Sequence, residues 1–588
     1  MTKGFLYDGH LFYADLSLVS LESHYRLFTK DSYEEIVEPE DIFHAKSFRL
    51  ILEDYIESLI DQDAELYDFF ARGLSDPIRG LTSLTSLFSN VTRTNVIKDY
   101  PQYESVLSDG GLNFMRFVEG FLRFYLSRER FGFLKAGPGM DFDRLKLKLR
   151  TFRATLLHLF HKVETNVLEK PISVESELNV GFSCGLLVDD SPIRFEGNYA
   201  YLNDVLFVKD AYLALPYTTS TKKNKRIGVY QPSPTPLAKE LDIDPSEFLC
   251  IPIYCGSSLV YFYFNVHNLN NVIGILNLFT KVPYTELEGK KPDIIVIFGG
   301  NKGESTGTYY YDGDGDFLVG YVSETEDADY FGYVKKLILT LHNTRMINQG
   351  YLPIHGSMMD IIMKSGKEVK IVIMGDSGAG KSESIEAFRK LAKEYLKDIK
   401  IIFDDMGTLF LTKDGVRASG TESGAFVRID DLDIGYAFSH INDSIIYNAD
   451  RTNARIVYHA TPYDEVVTKW PVDIFLYANN YEKSEEGIRF PESWEEVATI
   501  CEEGKRMAKG TTGEVGIVSS YFANPFGPVQ NKEKTQELVK EYFATMAKDG
   551  TSLGIIYTQL GLENMSKIGP ELAAKKLFEW INQSEEKQ

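Results

Sequence analysis

The spacing of apolar positions changes character along the chain. Between Arg144 and Lys170, Leu145, Leu149, Phe152, Leu156, Leu159 and Val163 fall on one helical stripe, which Pro171 stops. Arg116 to Phe133 is similarly aromatic and amphipathic. Residues 1–172 therefore read as mostly helical after a short β-like start, and stripes of this kind usually build a core. No motif that carries chemistry stands out there, so this extension is expected to serve docking or oligomerisation. From about 173 to 350 the pattern becomes short apolar runs separated by turns, as in Gly185–Val188, Leu259–Phe264 and Asp293–Phe298, which predicts a mixed α/β lobe with a sheet. Thr219 to Arg226 reads as a solvated basic loop. Asp312-Gly313-Asp314-Gly315-Asp316 opens like a calcium loop, but Phe317 and Ser323 stand where that pattern needs Gly and Glu, so a hairpin turn is expected. Residues 351–588 close with a helix from Pro570 to Gln583.

Within this last segment, Lys370-Ile371-Val372-Ile373-Met374 reads as a buried strand. Glu383 to Leu396, with Ile385, Phe388, Leu391 and Tyr395 at helical spacing, reads as a helix. Between them lies Gly375-Asp376-Ser377-Gly378-Ala379-Gly380-Lys381-Ser382, which fits the phosphate-binding pattern G-x-x-x-x-G-K-[ST] in its required strand–loop–helix setting. The glycines let backbone N–H groups turn toward phosphates, and the helix N-terminus adds partial positive charge. Lys381 is expected to reach the β- and γ-phosphates of ATP, and Ser382 to hold a divalent ion.

Composition narrows the partners. The chain has 588 residues, too many for one ordinary core, and a formal net charge of −22. That balance argues against a nucleic-acid or anionic-membrane partner. Four scattered cysteines form no C-x-x-C pair, no long apolar N-terminal run appears, and no stretch is apolar enough to span a bilayer. A reducing cytoplasm is the expected compartment. G-x-S-x-G, H-E-x-x-H and a strand-flanked G-x-G-x-x-G are all missing, which turns the reading away from serine hydrolases, zinc proteases and dinucleotide enzymes.

Two further segments bear on the phosphate loop. Ile401-Ile402-Phe403 ends in Asp404-Asp405, about twenty residues past Lys381, so one carboxylate can bind an ion beside the phosphates and the other can orient a ligand or accept a proton. His355 precedes the loop strand on what reads as its antiparallel neighbour, where an imidazole can bind a transition metal or act as a base.

Taken in order, the pieces resemble the phosphoenolpyruvate carboxykinases and the related HPr kinases. Tyr330-Phe331-Gly332-Tyr333-Val334-Lys335-Lys336 is similar to the carboxykinase run Tyr-Ala-Gly-Glu-Met-Lys-Lys. Leu352-Pro353-Ile354-His355-Gly356-Ser357 resembles Leu-Pro-Met-His-Cys-Ser, and keeps the same Lys-to-His spacing. Phe403-Asp404-Asp405 resembles Gly-Asp-Asp, Thr421–Phe426 resembles Glu-Gly-Gly-Cys-Tyr, and Asn453-Ala454-Arg455 resembles Asn-Thr-Arg. Val472–Leu476 resembles a late strand of that family. The phosphate loop followed by Glu383 also resembles the HPr kinase loop. The likeness covers about 325 to 560.

The resemblance implies an α/β fold. A carboxykinase-like nucleotide-binding lobe with a mixed sheet (351–588) would follow an α/β lobe (173–350) and the helical extension (1–172). It implies that Lys336, His355 and Asp405 ligate manganese, which requires a neutral Lys336. It implies that Lys381 and Ser382 hold ATP phosphates and magnesium, that Arg455 neutralises the transferred phosphoryl group, and that Tyr330, Lys335 and Ser357 lie near the acceptor. The implied reaction is oxaloacetate plus ATP to phosphoenolpyruvate, ADP and CO2. Two features depart from the family. Its carboxylate-gripping Arg-Ser-Pro-Lys-Asp-Lys segment is not evident, with Arg194 only a faint candidate. Gly513 replaces a nucleotide-contacting Arg, for which Arg506 is the possible substitute. Two alternatives follow: a kinase acting on a hydroxyl of a protein or small molecule, with Asp404 or Asp405 as base, and a non-enzymatic nucleotide-binding switch or scaffold.

Overall fold

The computed structural model describes residues 11–12, 46–126, 131–136, 141–170, 183–224, 230–237, 243–300, 307–313, 315–323, 325–429, 440–451, 453–508 and 515–583. The protein is mixed α/β, with many helices and several mixed sheets. It forms two compact units, residues 1–190 with 206–214, and residues 191–205 with 215–588. The boundaries expected at 172 and 350 differ from these limits, and residues 215–350 and 351–588 fall in one unit.

The first unit is built on helices, among them Lys46–Gln62, Ala64–Gly73, Pro77–Phe88, Leu112–Leu126 and Phe142–Leu168. Asp63, Asp76 and Asp141 cap three of them by accepting from backbone N–H groups of the first turn, and Pro77 occupies a position where no N–H is needed. The apolar stripes face one core containing Phe70, Leu84, Phe114, Phe117, Leu145, Leu156 and Leu159. The side chain of Phe152 and residue Pro171 lie outside the described residues. The long helix ends at Leu168, with Glu169 in the left-handed region at φ 53°. The segment Arg116–Phe133 is not one element. Its helix stops at Leu126, and Phe131–Lys135 is a strand parallel to Cys184–Asp189, which in turn pairs antiparallel with Leu206–Leu213.

The second unit holds two larger sheets. In the first, strands Phe248–Cys255, Ser258–Asn265, Ile294–Gly300, Phe317–Ser323, Thr308–Asp312 and Gln231–Pro232 follow in that order. Asp312 pairs with Phe317, so the acidic glycine run is a hairpin turn; Asp314 lies outside the described residues. The second sheet is centred on Leu352–Met363. One flank of this strand is antiparallel to Glu368–Met374, and other parts of it pair with Leu396–Phe403 and Met406–Thr412. Ile474–Asn479 and Ser552–Tyr557 extend the sheet in parallel beyond Glu368–Met374. β-Branched and apolar residues dominate these central strands because both faces are buried. The helices Lys381–Tyr395 and Ile568–Gln583 cover one face through Phe388 and Phe578. A separate four-stranded sheet joins Gly424–Arg428, Arg455–His459, Ile445–Tyr447 and Tyr217–Thr219. No described helix is long and apolar enough to cross a membrane.

Candidate active site

The phosphate loop connects Glu368–Met374 to the helix Lys381–Tyr395. Gly378 and Gly380 sit at φ 80° and 108°, a conformation costly for any residue with a Cβ, and a Cβ at Gly380 would also strike Thr558. The Gly378 and Ala379 carbonyls accept hydrogen bonds from Asn480 Nδ2 (3.0 Å) and Thr558 Oγ1 (2.6 Å), which ties the loop to residues that directly follow later strands. Lys381 is buried and folds back, donating from Nζ to the Gly375 carbonyl at 2.7 Å. Burial lowers its pKa.

Asp404 and Asp405 occupy the turn between Leu396–Phe403 and Met406–Thr412. Asp405 adopts φ 88°, a strained backbone for a non-glycine residue, held in place by the Gly356 N–H donating to its carbonyl at 3.0 Å. Its side chain is the hub of the site. Oδ2 accepts from Lys335 Nζ at 2.7 Å and Lys336 Nζ at 2.9 Å, while Oδ1 lies 2.9 Å from His355 Nε2. Asp404 faces the other way, accepting from Ser357 Oγ and from Ser382 Oγ at 3.3 Å. The twin aspartates therefore link the lysine helix Phe331–Asn348 and the histidine strand Leu352–Met363 to the first turn of the loop helix.

Burial sets the charges. On its own it would raise the Asp405 pKa, but Lys335, Lys336 and His355 hold the carboxyl well below the usual range. Burial likewise opposes the Lys335 ammonium, yet Asp405 and Glu422 outweigh it and raise its pKa. For Lys336 burial wins. Asp405 opposes it, the neighbouring Lys335 charge adds to it, and the pKa falls to about 8. Glu422, whose side chain is only 1% exposed, lies 2.9 Å from Lys335, but neither oxygen has a partner in hydrogen-bond geometry, and burial raises its pKa to about 7.

Asp404, Asp405 and Glu422 border a cleft of about 540 Å³, lined also by Ser377, Gly378, Lys381, Ser382, Phe426, Arg428, Arg455 and Arg506, among others. Tyr330, Lys335, Lys336, His355 and Ser357 do not line it; the two lysines and the imidazole reach it through the Asp405 carboxylate. Arg428 and Arg455 stand directly opposite each other on adjacent antiparallel strands, and the Arg455 guanidinium lies 5.4 Å from the centre of the Phe426 ring. Like charges directly opposite each other on paired strands are destabilising. Among the described residues no group of three or more His, Cys, Asp or Glu side chains converges as a cation site. The convergence here draws instead on one histidine, one aspartate and two lysines.

Several expectations need correction. Arg194 is exposed and donates to the Asn203 carbonyl; it is not among the residues lining the cleft. Arg506 does line it, but its Nε donates to Asp376 Oδ2 at 3.1 Å, so part of its donor capacity is used by the loop itself. Thr219–Asn224 is not a floating surface loop. Thr219 and Thr221 are buried, and Asn448, Arg451, Asn453 and Asp329 bond its backbone. Its neighbours 225–229, and the segment 509–514 that includes Gly513, lie outside the described residues. Arg428 escaped the sequence reading because a lone Arg carries no signal until strand pairing sets it beside Arg455, and Glu422, although within the quoted run Thr421–Phe426, had no role until the fold set it beside Lys335. No family model matches the chain, and no curated protein matches it.

Proposed function

We propose that residues 215–588 form an ATP- and divalent-ion-dependent phosphotransferase with a carboxykinase-like fold and site, working in the cytoplasm. The observation that carries this reading is the single Asp405 carboxylate, contacted at once by Lys336, His355 and Lys335, one residue from the Asp404 that contacts Ser382 of the phosphate loop. The donor set suits a transition ion such as manganese: an imidazole nitrogen, a carboxylate oxygen and an amine that sheds its proton near pH 8. Lys336, His355 and Asp405 would hold that ion, and Ser382 with Asp404 a magnesium ion. When bound, the ions supply positive charge where the phosphoryl group moves.

The chain's own groups do the rest. The loop amides cradle the phosphates of ATP, and Lys381 leaves the loop carbonyls for the β- and γ-phosphates. Arg455 and Arg428 draw together the anionic groups of donor and acceptor. The nearest reaction is decarboxylation of oxaloacetate. Its C–C bond breaks to release CO2, and the enolate oxygen then bonds to the γ-phosphorus as the bond to ADP breaks, giving phosphoenolpyruvate.

A second reading, transfer to a hydroxyl with Asp404 or Asp405 as base, is favoured by one observation: Arg194, the candidate for gripping a dicarboxylate, is exposed and is not among the residues lining the cleft. Purified protein given ATP, manganese and oxaloacetate should release phosphoenolpyruvate, and His355→Ala and Asp405→Ala should each lower the rate by at least about 10²-fold. Absence of product across a metal series discards the decarboxylating reaction. Unchanged turnover in both variants discards the ion site.

A further inference from the structure

The phosphate loop contains a side chain that the reaction just proposed does not use. Asp376 is buried, and apart from the N–H of Ser377, which donates to its Oδ1 at 2.6 Å, its carboxylate meets groups outside the loop. Its Oδ2 accepts from Ser520 Oγ at 2.7 Å and from Arg506 Nε at 3.1 Å, and its Oδ1 lies 3.5 Å from His355 Nδ1. A buried carboxylate tolerates its charge only where donors surround it, and His355, Arg506 and Ser520 together hold its pKa low against burial. The same imidazole nitrogen lies 3.2 Å from the Ala523 carbonyl. Nδ1 thus faces two acceptors, a carbonyl and a carboxylate, and Nε2 faces a third, the Asp405 carboxylate at 2.9 Å. Nε2 is the nitrogen beside the proposed ion position, and Nδ1 is the one held from behind.

We infer that Asp376 is a positioning residue for the ion site: from within the nucleotide loop it holds the Nδ1 side of His355 and so sets the ring orientation that presents Nε2 beside Asp405. The inference rests on the ion site proposed above. Its chemistry is that of a carboxylate behind a metal-facing histidine, an arrangement whose loss costs about 10–100-fold in metal affinity. What is specific to this chain is the source of the carboxylate. It comes from the second residue of the phosphate loop, so one buried side chain serves both the loop and the imidazole. Arg506, within the strand Lys505–Met507, and Ser520, just past its partner strand Ile517–Ser519, fasten it.

The test measures manganese binding by electron paramagnetic resonance, without nucleotide, for wild type, Asp376→Asn and Ser520→Ala. It also records the His355 ring nitrogens by long-range ¹⁵N–¹H correlation in metal-free protein, with the signal assigned by its loss in His355→Ala. Asp376→Asn should weaken manganese binding about 10–100-fold and shift the His355 Nδ1 resonance. Ser520→Ala, which removes one donor to the carboxylate, should weaken binding about 2–10-fold, and it decides the matter if Asp376→Asn does not fold. A purely structural Asp376 would change thermal stability and leave both readouts alone. Wild-type binding with variants within twofold, and an unmoved ring signal, overturns the inference while the ion site stands. Absence of manganese binding to wild type overturns the ion site and the inference with it.

Discussion

The helical core of the first unit and the cleft of the second bury side chains on opposite principles. Around Phe117 the interior is wholly apolar, with Tyr55, Phe70 and Phe114 ring centroids within 6 Å of it. Around Asp405 the interior is charged: Lys335 and Glu422 are each 1% exposed and His355 is fully buried. Apolar packing stabilises through area and close contact, and it tolerates hydrophobic exchange of similar volume. A buried charge cluster stabilises little relative to an apolar equivalent, and removing one member leaves another unpaired. The first arrangement holds a fold; the second is what a site for anions and cations requires.

That contrast can be broken or sharpened. The largest expected effect lies in the helical core, where Phe117→Ala should lower unfolding free energy by about 3–5 kcal/mol, read from the urea transition of the first unit, and leave turnover of the surviving folded protein unchanged. Loss of turnover in proportion would tie the two regions together. Next comes Lys381→Ala, expected to reduce turnover by about 10²–10³-fold, roughly 2.7–4 kcal/mol of transition-state stabilisation. Its melting temperature should hardly move, because the ammonium contacts only loop carbonyls. A collapse in stability instead would make Lys381 a structural group. The smallest effect is a pH dependence. The folded-state pKa of Lys336 lies near 8, below its ordinary value, so the charged form that repels a cation dominates below pH 8 and the neutral form above it. Manganese affinity should therefore rise roughly tenfold from pH 6.5 to 7.5 and level off above about 8.5. Lys336→Met should flatten that slope, and a flat wild-type profile would remove Lys336 from the ligand set.

Some of this was readable from the chain alone and some was not, for a physical reason. The phosphate loop was legible because strand, glycines, lysine and helix are contiguous and each has its own local signal. His355 on an antiparallel neighbour was legible from the apolar run around it, and the structure pairs Gly356 with Met374. The helical extension was legible wherever its stripe was unbroken. The Arg116–Phe133 segment was misread because an aromatic strand continues an amphipathic helix with little change in composition. What remained hidden depends on distant pairing. Arg506 and Ser520 meet Asp376 across 130 and 144 positions, Arg428 meets Arg455 across a sheet, and Glu422 gains meaning only beside Lys335. The loop at 219–224 looked solvated because its residues are polar; its anchors lie more than one hundred positions away.

That loop bears on how the protein is made. Thr221 bonds Asn448 across 227 positions, and the strand Tyr217–Thr219 pairs with Ile445–Tyr447. At ordinary translation speeds the earlier segment leaves the ribosome about 10–45 s before its partner exists. Throughout that interval an unpaired edge is exposed to other nascent chains, and a chaperone that shields it would raise the yield of intact protein more than one acting on the completed chain.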